Sequence, residues 1–253
     1  MNDQFPSTFF NNFINTDAST NDNDNNIKYN DKNMGEENDD ENYFSNALKE
    51  LLQEFSSIKN PGGRDEHLQE CIQSWFSRHI EYTEIKVIEY LKQIAHKNYD
   101  YACLLGFLYH TEFDWQKAFE WYLRAAEHNN AFGQNQVGYF YQKGYGIGVN
   151  HQNAFYWYQK SSDGGCSNAK SNLGYCYHYG IHVKRNSRYA FYWYSKSAEI
   201  GDELGMCNLA NALLHGIGTN VDVHQTLRLY RDAKNLKCLR VDEYLRYIFV
   251  YRY

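Results

Sequence analysis

Apolar residues recur at helical spacing from Tyr43 onward. The first run stops before the Pro-Gly-Gly at 61–63, and its apolar positions follow i, i+3, i+4 and i+7: Leu48, Leu51, Leu52 and Phe55. Two later runs, HLQECIQSWFSRH and EIKVIEYLKQIAHKN, keep the same period. Because this spacing is typical of amphipathic helices, it predicts three helices within an N-terminal helical segment, residues 43–98.

A nine-residue segment recurs along the second half of the chain. AFEWYLRAA, AFYWYQKSS and AFYWYSKSA start 36 residues apart, at Ala118, Ala154 and Ala190, and a diverged copy, TLRLYRDAK, starts at Thr226. A second element precedes each copy: LLGFLY, QVGYFY, NLGYCY and NLANAL. Two helical patterns within such a period are typical of stacked helix pairs. The prediction is an all-α solenoid of four repeats, at 99–129, 130–165, 166–201 and 202–237.

The repeat columns have physical explanations. A glycine in the middle of a helix costs about 1 kcal/mol of propensity, so its recurrence indicates close helix contact. On the first helix of each repeat the small residue is Gly106, Gly138, Gly174 or Ala210. The second helix supplies a matching small surface at Ala118, Ala154 and Ala190. One turn later on that helix, the groove between neighbouring helices is filled by Tyr122, Tyr158, Tyr194 and Tyr230. A helix N-cap is predicted four residues before each second helix pattern, at Asp114, Asn150, Asn186 and Asp222.

The segment KGYGIGVN, residues 143–150, is similar to a nucleotide-binding glycine loop. It aligns with YGIHVKRN and HGIGTNVD in the next two repeats, so it is predicted to join the two helices of one repeat. Gly144, Gly180 and Gly216 share one column, which predicts left-handed helix C-caps. The first repeat is shorter here and predicts a tighter turn. Because no strand is predicted to enter the loop, its glycines do not indicate phosphate binding.

Composition separates residues 1–42 from the rest. This Asn/Asp-rich segment carries ten Asp/Glu against two Lys and no apolar period, so it is predicted to be a disordered tail. The alternative for part of it is a short partner-binding motif between Phe5 and Phe13. The remaining chain is nearly neutral, which argues against nucleic-acid binding. No signal peptide or membrane span is expected, and the predicted location is the cytosol or nucleus, with reduced cysteines.

The segment NLGYCYHYGIHVKRNSRYAFYWYSKSAEIG, residues 172–201, resembles the Sel-one-like repeat, a relative of the tetratricopeptide repeat. The resemblance covers roughly residues 99–238. It implies a right-handed α-α superhelix that acts as an adaptor in assembling protein complexes. No cofactor is expected. Some secreted members of the family have a disulfide inside each repeat. The cysteines of this chain lack that regular pairing.

The predicted function is therefore a non-catalytic scaffold, in a signalling complex for example, that binds a protein or peptide in a groove. Aromatic and amide side chains suit peptide recognition. The predicted groove residues are Phe107, Gln136, Tyr139, Lys143, Asn172, Tyr175, Tyr179, Asn208 and Asn211. One alternative is that Tyr139 and Tyr175 only pack against the next repeat. Another is an enzyme or metal-binding protein built on the helical scaffold.

Three further features of the sequence can each be interpreted as structural or as functional. Cys166, Cys176, His178 and His182 lie near one another in sequence, but their spacing fits no usual zinc site, and buried free thiols are expected instead. Trp121, Trp157 and Trp193 are expected to pack between repeats, the alternative being a ligand-stacking ladder. The C-terminal segment 239–253 is predicted to be a capping helix, the alternative being an element that docks a partner.

Overall fold

The computed structural model describes residues 36–59, 65–80, 82–235 and 241. In this part of the chain all regular structure is helical, and the prediction of an all-α chain is confirmed. The described residues from Tyr43 onward form one compact unit. The helices are α1 (Glu36–Lys59), α2 (Asp65–Arg78), α3 (Glu84–Ile94), α4 (Tyr99–Thr111), α5 (Trp115–Glu127), α6 (Ala131–Lys143), α7 (His151–Asp163), α8 (Ser167–Tyr179), α9 (Ser187–Ala198), α10 (Glu203–His215) and α11 (Val223–Asn235).

The three helices predicted within residues 43–98 are present as α1, α2 and α3. The first begins earlier than its apolar pattern does, at Glu36, so residues 36–42 of the predicted tail are helical. Residues 1–35, including the proposed motif between Phe5 and Phe13, lie outside the described residues. Leu48, Leu51 and Phe55 of the apolar stripe of α1 are buried, and Trp75 of α2 donates a hydrogen bond from Nε1 to the Ala47 carbonyl at 3.0 Å. These helices share one apolar core with the first repeat.

Eight helices form the repeats, as four pairs. The first members, α4, α6, α8 and α10, are called A helices here, and the second members, α5, α7, α9 and α11, are called B helices. Each A helix packs against the B helix of its own pair, and α5, α7 and α9 also pack against the A helix that follows. This continuous stacking is the solenoid that the sequence period predicts.

The mid-helix glycines are explained by tyrosine rings. A methyl group added at Gly106, Gly138 or Gly174 would lie within 2.8 Å of a ring carbon of Tyr122, Tyr158 or Tyr194. The sequence predicted that these glycines face small alanines, with the tyrosine one turn away. In the structure the tyrosine of the B helix itself lies over the glycine, and the alanines are buried beside it. The close approach is therefore between ring and backbone.

The turn between the two helices of a pair follows the prediction. Gly144, Gly180 and Gly216 are left-handed C-caps, with φ of 76°, 74° and 66°. The first repeat makes its shorter turn with Phe113 at φ 62°. Residues 143–150 join α6 to α7, and a methyl group at Gly146 would lie 2.7 Å from the Gln116 backbone nitrogen. The loop glycines thus permit the turn to pack against the start of α5.

All four predicted N-caps are observed. Asp114, Asn150 and Asp222 each accept a hydrogen bond from the backbone N–H three residues later. Asn186 accepts two, from the backbone N–H groups of Arg188 and Tyr189. These side chains satisfy N–H groups that a helix start leaves without intrahelical partners. They fix where each B helix begins, and hence the register of its tyrosine against the A-helix glycine.

Candidate functional site

The nine predicted groove residues all lie on A helices, but they are not equally accessible. Phe107 is 0% exposed, because Phe55 of α1 packs against it with ring centroids 6.0 Å apart. Gln136 is also buried. The prediction that these two side chains line an open groove is wrong. The other seven form the surface called the A-helix face here: Tyr139, Lys143, Asn172, Tyr175, Tyr179, Asn208 and Asn211.

Amide side chains on this face connect successive repeats. Asn172 Nδ2 donates to Asn135 Oδ1 at 2.9 Å, which joins α8 to α6. One repeat later Asn208 Nδ2 donates to Ser171 Oγ at 2.8 Å, which joins α10 to α8. Both asparagines remain partly exposed. An asparagine carbonyl has two acceptor sites, so Asn172 and Asn208 retain the capacity to accept hydrogen bonds from a bound molecule.

Two exposed tyrosines of the A-helix face lie at the C-terminal end of α8. Tyr175 is 39% exposed and Tyr179 is 60% exposed, and their ring centroids are 4.5 Å apart. His178 stacks on Tyr179 at 4.4 Å and lies 3.4 Å from the Tyr194 hydroxyl. Burial, together with the nearby Arg185 charge, lowers the pKa of His178. Burial thus favours the neutral form of His178, whose ring stacks on Tyr179.

The residues on either side of the tyrosine pair are more constrained. Tyr139 of α6 is half-buried and contacts Tyr145 of its own turn, with Lys143 Nζ 5.7 Å from its ring centroid. Asn211 of α10 accepts a hydrogen bond from the Tyr230 hydroxyl at 2.8 Å. That bond occupies one of the two acceptor sites of the Asn211 carbonyl.

A basic rim borders the A-helix face, and of its cations the groove prediction included only Lys143. It consists of the turns of repeats two and three with the first residues of α7 and α9, residues 143–151 and 179–188, and is called the turn edge here. Its exposed cations are Lys143, Lys184, Arg185 and Arg188. The sequence alone could have indicated this basic region, because repeats two and three, residues 130–201, carry seven Lys/Arg and two Asp/Glu.

The period, the caps and the glycine-tyrosine contacts agree with one repeat family. The Sel1 repeat model matches residues 98–130, 131–166, 167–202 and 204–237. The chain belongs to the Sel1 repeat family. The four repeats predicted from the sequence are confirmed, and so is the family resemblance. Sel1 repeat proteins are generally protein-interaction scaffolds.

Two solved structures are similar to this Sel1 array. One is a Sel1 repeat protein from Oxalobacter formigenes, with a TM-score of 0.63 and 24% identity over 83% of this chain and 85% of that one. The other is c5321, a protective antigen of uropathogenic Escherichia coli strains that displays an SLR fold, with a TM-score of 0.55 and 24% identity over 85% of this chain. The match spans 52% of c5321. No curated protein sequence matches the chain.

The cysteines that the structure describes are free thiols, and most are buried. Burial raises the pKa of Cys176 to about 12, and burial together with the Glu54 carboxylate raises the pKa of Cys71 to about 11. Such thiols are protonated at neutral pH and are weak nucleophiles. The described residues contain no cluster of three or more histidine, cysteine, aspartate and glutamate side chains placed to hold a metal ion.

The repeated tryptophans of the Sel1 array are half-buried. Trp121 and Trp157 pack against the core of the first two repeats, and Trp193 packs against the next apolar cluster. A cation covers two of them: the Arg124 guanidinium lies 4.6 Å from the Trp121 ring and Lys160 Nζ lies 5.3 Å from the Trp157 ring. These contacts favour the packing interpretation over a ligand-stacking ladder.

Proposed function

We propose that this Sel1 repeat protein is a non-catalytic adaptor that binds an extended polypeptide segment on its A-helix face. The observation that carries the proposal is the exposed tyrosine pair, Tyr175 and Tyr179, flanked by amide side chains. Large aromatic side chains supply contact area at low entropic cost, and they are frequent hot spots in interfaces. The neighbouring Asn172 and Asn208 offer hydrogen-bond acceptors to a peptide backbone.

The fold restricts where such a segment binds. The N-terminal helices cover the first repeat at Phe107, so the accessible part of the A-helix face begins at repeat two and continues through repeat four. The hydrogen bonds between Asn172 and Asn135, and between Asn208 and Ser171, hold neighbouring A helices in register. A preorganised surface of this kind loses little conformational entropy when it binds.

This adaptor role extends to the assembly of protein complexes, signalling complexes included, in the cytosol or nucleus. The free thiols of the described residues fit a reducing compartment. The alternative of an enzyme that uses Cys71 or Cys176 as its nucleophile is disfavoured, because burial raises the pKa of both thiols.

The proposal is tested by selecting a phage-displayed library of random 12-residue peptides against the full chain. Enriched peptides are then measured with two variants, Tyr175→Ala/Tyr179→Ala and the control Tyr156→Ala/Tyr192→Ala. The control pair lies on B helices and is 48% and 49% exposed, so both variants remove comparable aromatic surface. Since truncating a hot-spot residue costs about 1–2 kcal/mol or more, the first variant is expected to weaken binding at least about tenfold. Equal effects in the two variants would refute the proposal.

A further inference from the structure

The turn edge carries positive charge that this part of the chain does not neutralise. Among the described residues, Lys143, Lys184, Arg185 and Arg188 form no ion pair, and residues 143–151 and 179–188 contain no Asp or Glu. Some cations elsewhere in the molecule lie beside a carboxylate. Lys117 lies 2.7 Å from Asp114, Lys196 lies 2.7 Å from Glu199, and Arg78 lies 2.7 Å from Glu54. The turn edge, by contrast, has four exposed cations and no carboxylate of its own.

Acidic residues mark the limits of this positive region. The turn of repeat one contains Glu112 and Asp114, and the turn of repeat four contains Asp222. The charge of the N-cap residue follows the same pattern along the array. The caps of α5 and α11 are aspartates, whereas those of α7 and α9 are the neutral residues Asn150 and Asn186. A neutral cap leaves the partial positive charge of a helix N-terminus uncompensated. Backbone and side chains thus both favour an anionic group next to repeats two and three.

The turn edge is continuous with the exposed tyrosine pair. The Asn186 backbone N–H donates to the Tyr177 carbonyl at 2.8 Å, which folds the turn of repeat three against the end of α8. Tyr179 is the last residue of that helix, and the charge of Arg185 reaches His178 beside it. A segment lying on Tyr175 and Tyr179 therefore passes close to Lys184 and Arg185.

We infer that the A-helix face and the turn edge together bind an acidic polypeptide segment. Its carboxylates pair with Lys143, Arg185 and their neighbours while its apolar groups contact Tyr175 and Tyr179. This inference rests on the proposed function and adds the chemistry of the partner. A polypeptide is favoured over a nucleic acid because the whole chain has a net charge of -6, and because amide side chains beside the tyrosines suit a peptide backbone.

The peptide selection also tests this inference. Peptides whose binding depends on Tyr175 and Tyr179 are expected to contain more Asp and Glu than the starting library. One of them, synthesised with a fluorescent label, is compared with a version in which every Glu is replaced by Gln and every Asp by Asn. The neutral version is expected to bind more weakly, and binding of the acidic version is expected to weaken as salt is raised.

Charge variants locate the interaction. Lys184→Gln/Arg185→Gln is expected to weaken binding of the acidic peptide about three- to tenfold, the effect of losing two exposed charge pairs. The control Lys160→Gln/Arg228→Gln removes one lysine and one arginine, both exposed on B helices, and is expected to leave binding unchanged. Thermal melting checks that all variants fold alike. Equal weakening by both variants would overturn the inference.

The two proposals fail in different ways. Tyrosine-dependent peptides without excess carboxylates would leave the proposed function standing and refute the acidic partner. A library that yields no tyrosine-dependent peptide would refute both. A 20-nucleotide oligothymidylate serves as a further probe. If it binds more tightly than the acidic peptide and depends on Lys184 and Arg185, the turn edge recognises nucleic acid and the inference is wrong.

Discussion

A single glycine and a single tyrosine set the distance between the helices in each of the first three pairs. At Gly174 an added methyl group would lie 2.5 Å from two ring carbons of Tyr194, a side chain that is itself buried. The ring cannot retreat, because its hydroxyl contacts His178 and its other neighbours belong to the apolar cluster of the next repeat. The helix accepts the poor propensity of glycine at this position for this reason.

Gly174→Ala is therefore expected to destabilise the protein. Overpacking a core by one methyl group costs about 1–3 kcal/mol, which outweighs the roughly 1 kcal/mol that alanine gains in helix propensity. The matched control is Gly148→Ala, because a methyl group there meets no atom within 4 Å. Denaturant unfolding of both variants measures the difference. A Gly174→Ala variant as stable as the control would show that Tyr194 moves aside easily.

The sequence predicted a left-handed backbone conformation where a repeat column contains only glycine. It did not predict one where the column contains glycine and a second residue type. The left-handed C-caps at Gly144, Gly180 and Gly216 followed from a column of glycines alone. A second left-handed column was missed, since it holds Gly146, His182 and Gly218, with φ of 66°, 62° and 72°. A histidine in the middle of that column conceals the shared backbone conformation.

At the scale of helices, the contact between α3 and α4 contains two carboxyl groups that share a hydrogen bond. Burial and the neighbouring Glu112 carboxylate raise the pKa of Glu84 to about 7, from an ordinary value of 4.5. The folded protein therefore binds this proton more tightly than the unfolded chain does. The resulting stabilisation is complete below about pH 4.5 and is lost as the pH rises through about 7.

Glu84→Gln removes this titration and keeps a side chain of similar size. Relative to wild type, the variant is expected to gain stability as the pH rises from 5 to 8. Melting temperatures at pH 5, 6, 7 and 8 measure the change, with Glu89→Gln, an exposed position on α3, as the control. A difference between wild type and Glu84→Gln that stays constant across this range would contradict the assigned pKa.

At the scale of the whole repeat array, the sequence predicts the repeats better than it predicts which surfaces remain open. Period and capping depend on contacts within one repeat, and all four copies carry that information. The accessibility of Phe107 depends on α1, which lies outside the repeats and packs Phe55 against both Phe107 and Phe132. No pattern inside a repeat indicates which segment covers its first A helix.

At the C-terminal end of the array, the question is whether segment 239–253 covers the last repeat. A solenoid exposes the apolar face of its last repeat unless another segment covers it. Val241 is helical, 0% exposed and part of the apolar cluster that includes Cys207, Leu214 and Tyr230 of repeat four. The predicted apolar face of Tyr244, Leu245, Ile248 and Phe249 lies outside the described residues. The contact of Val241 favours the capping interpretation over a docking element.

Deleting residues 239–253 is therefore expected to lower the melting temperature and to promote aggregation, because Tyr230 and Leu214 lose their cover. Val241→Ala is the milder test. Removing two buried methyl groups from such a cluster costs about 1–3 kcal/mol, since each buried CH₂ contributes about 0.8 kcal/mol and a cavity adds to the loss. Thermal melting and light scattering measure both variants. A truncated protein that melts like the full chain but loses an oligomer or a bound partner would show instead that the segment is an interaction element.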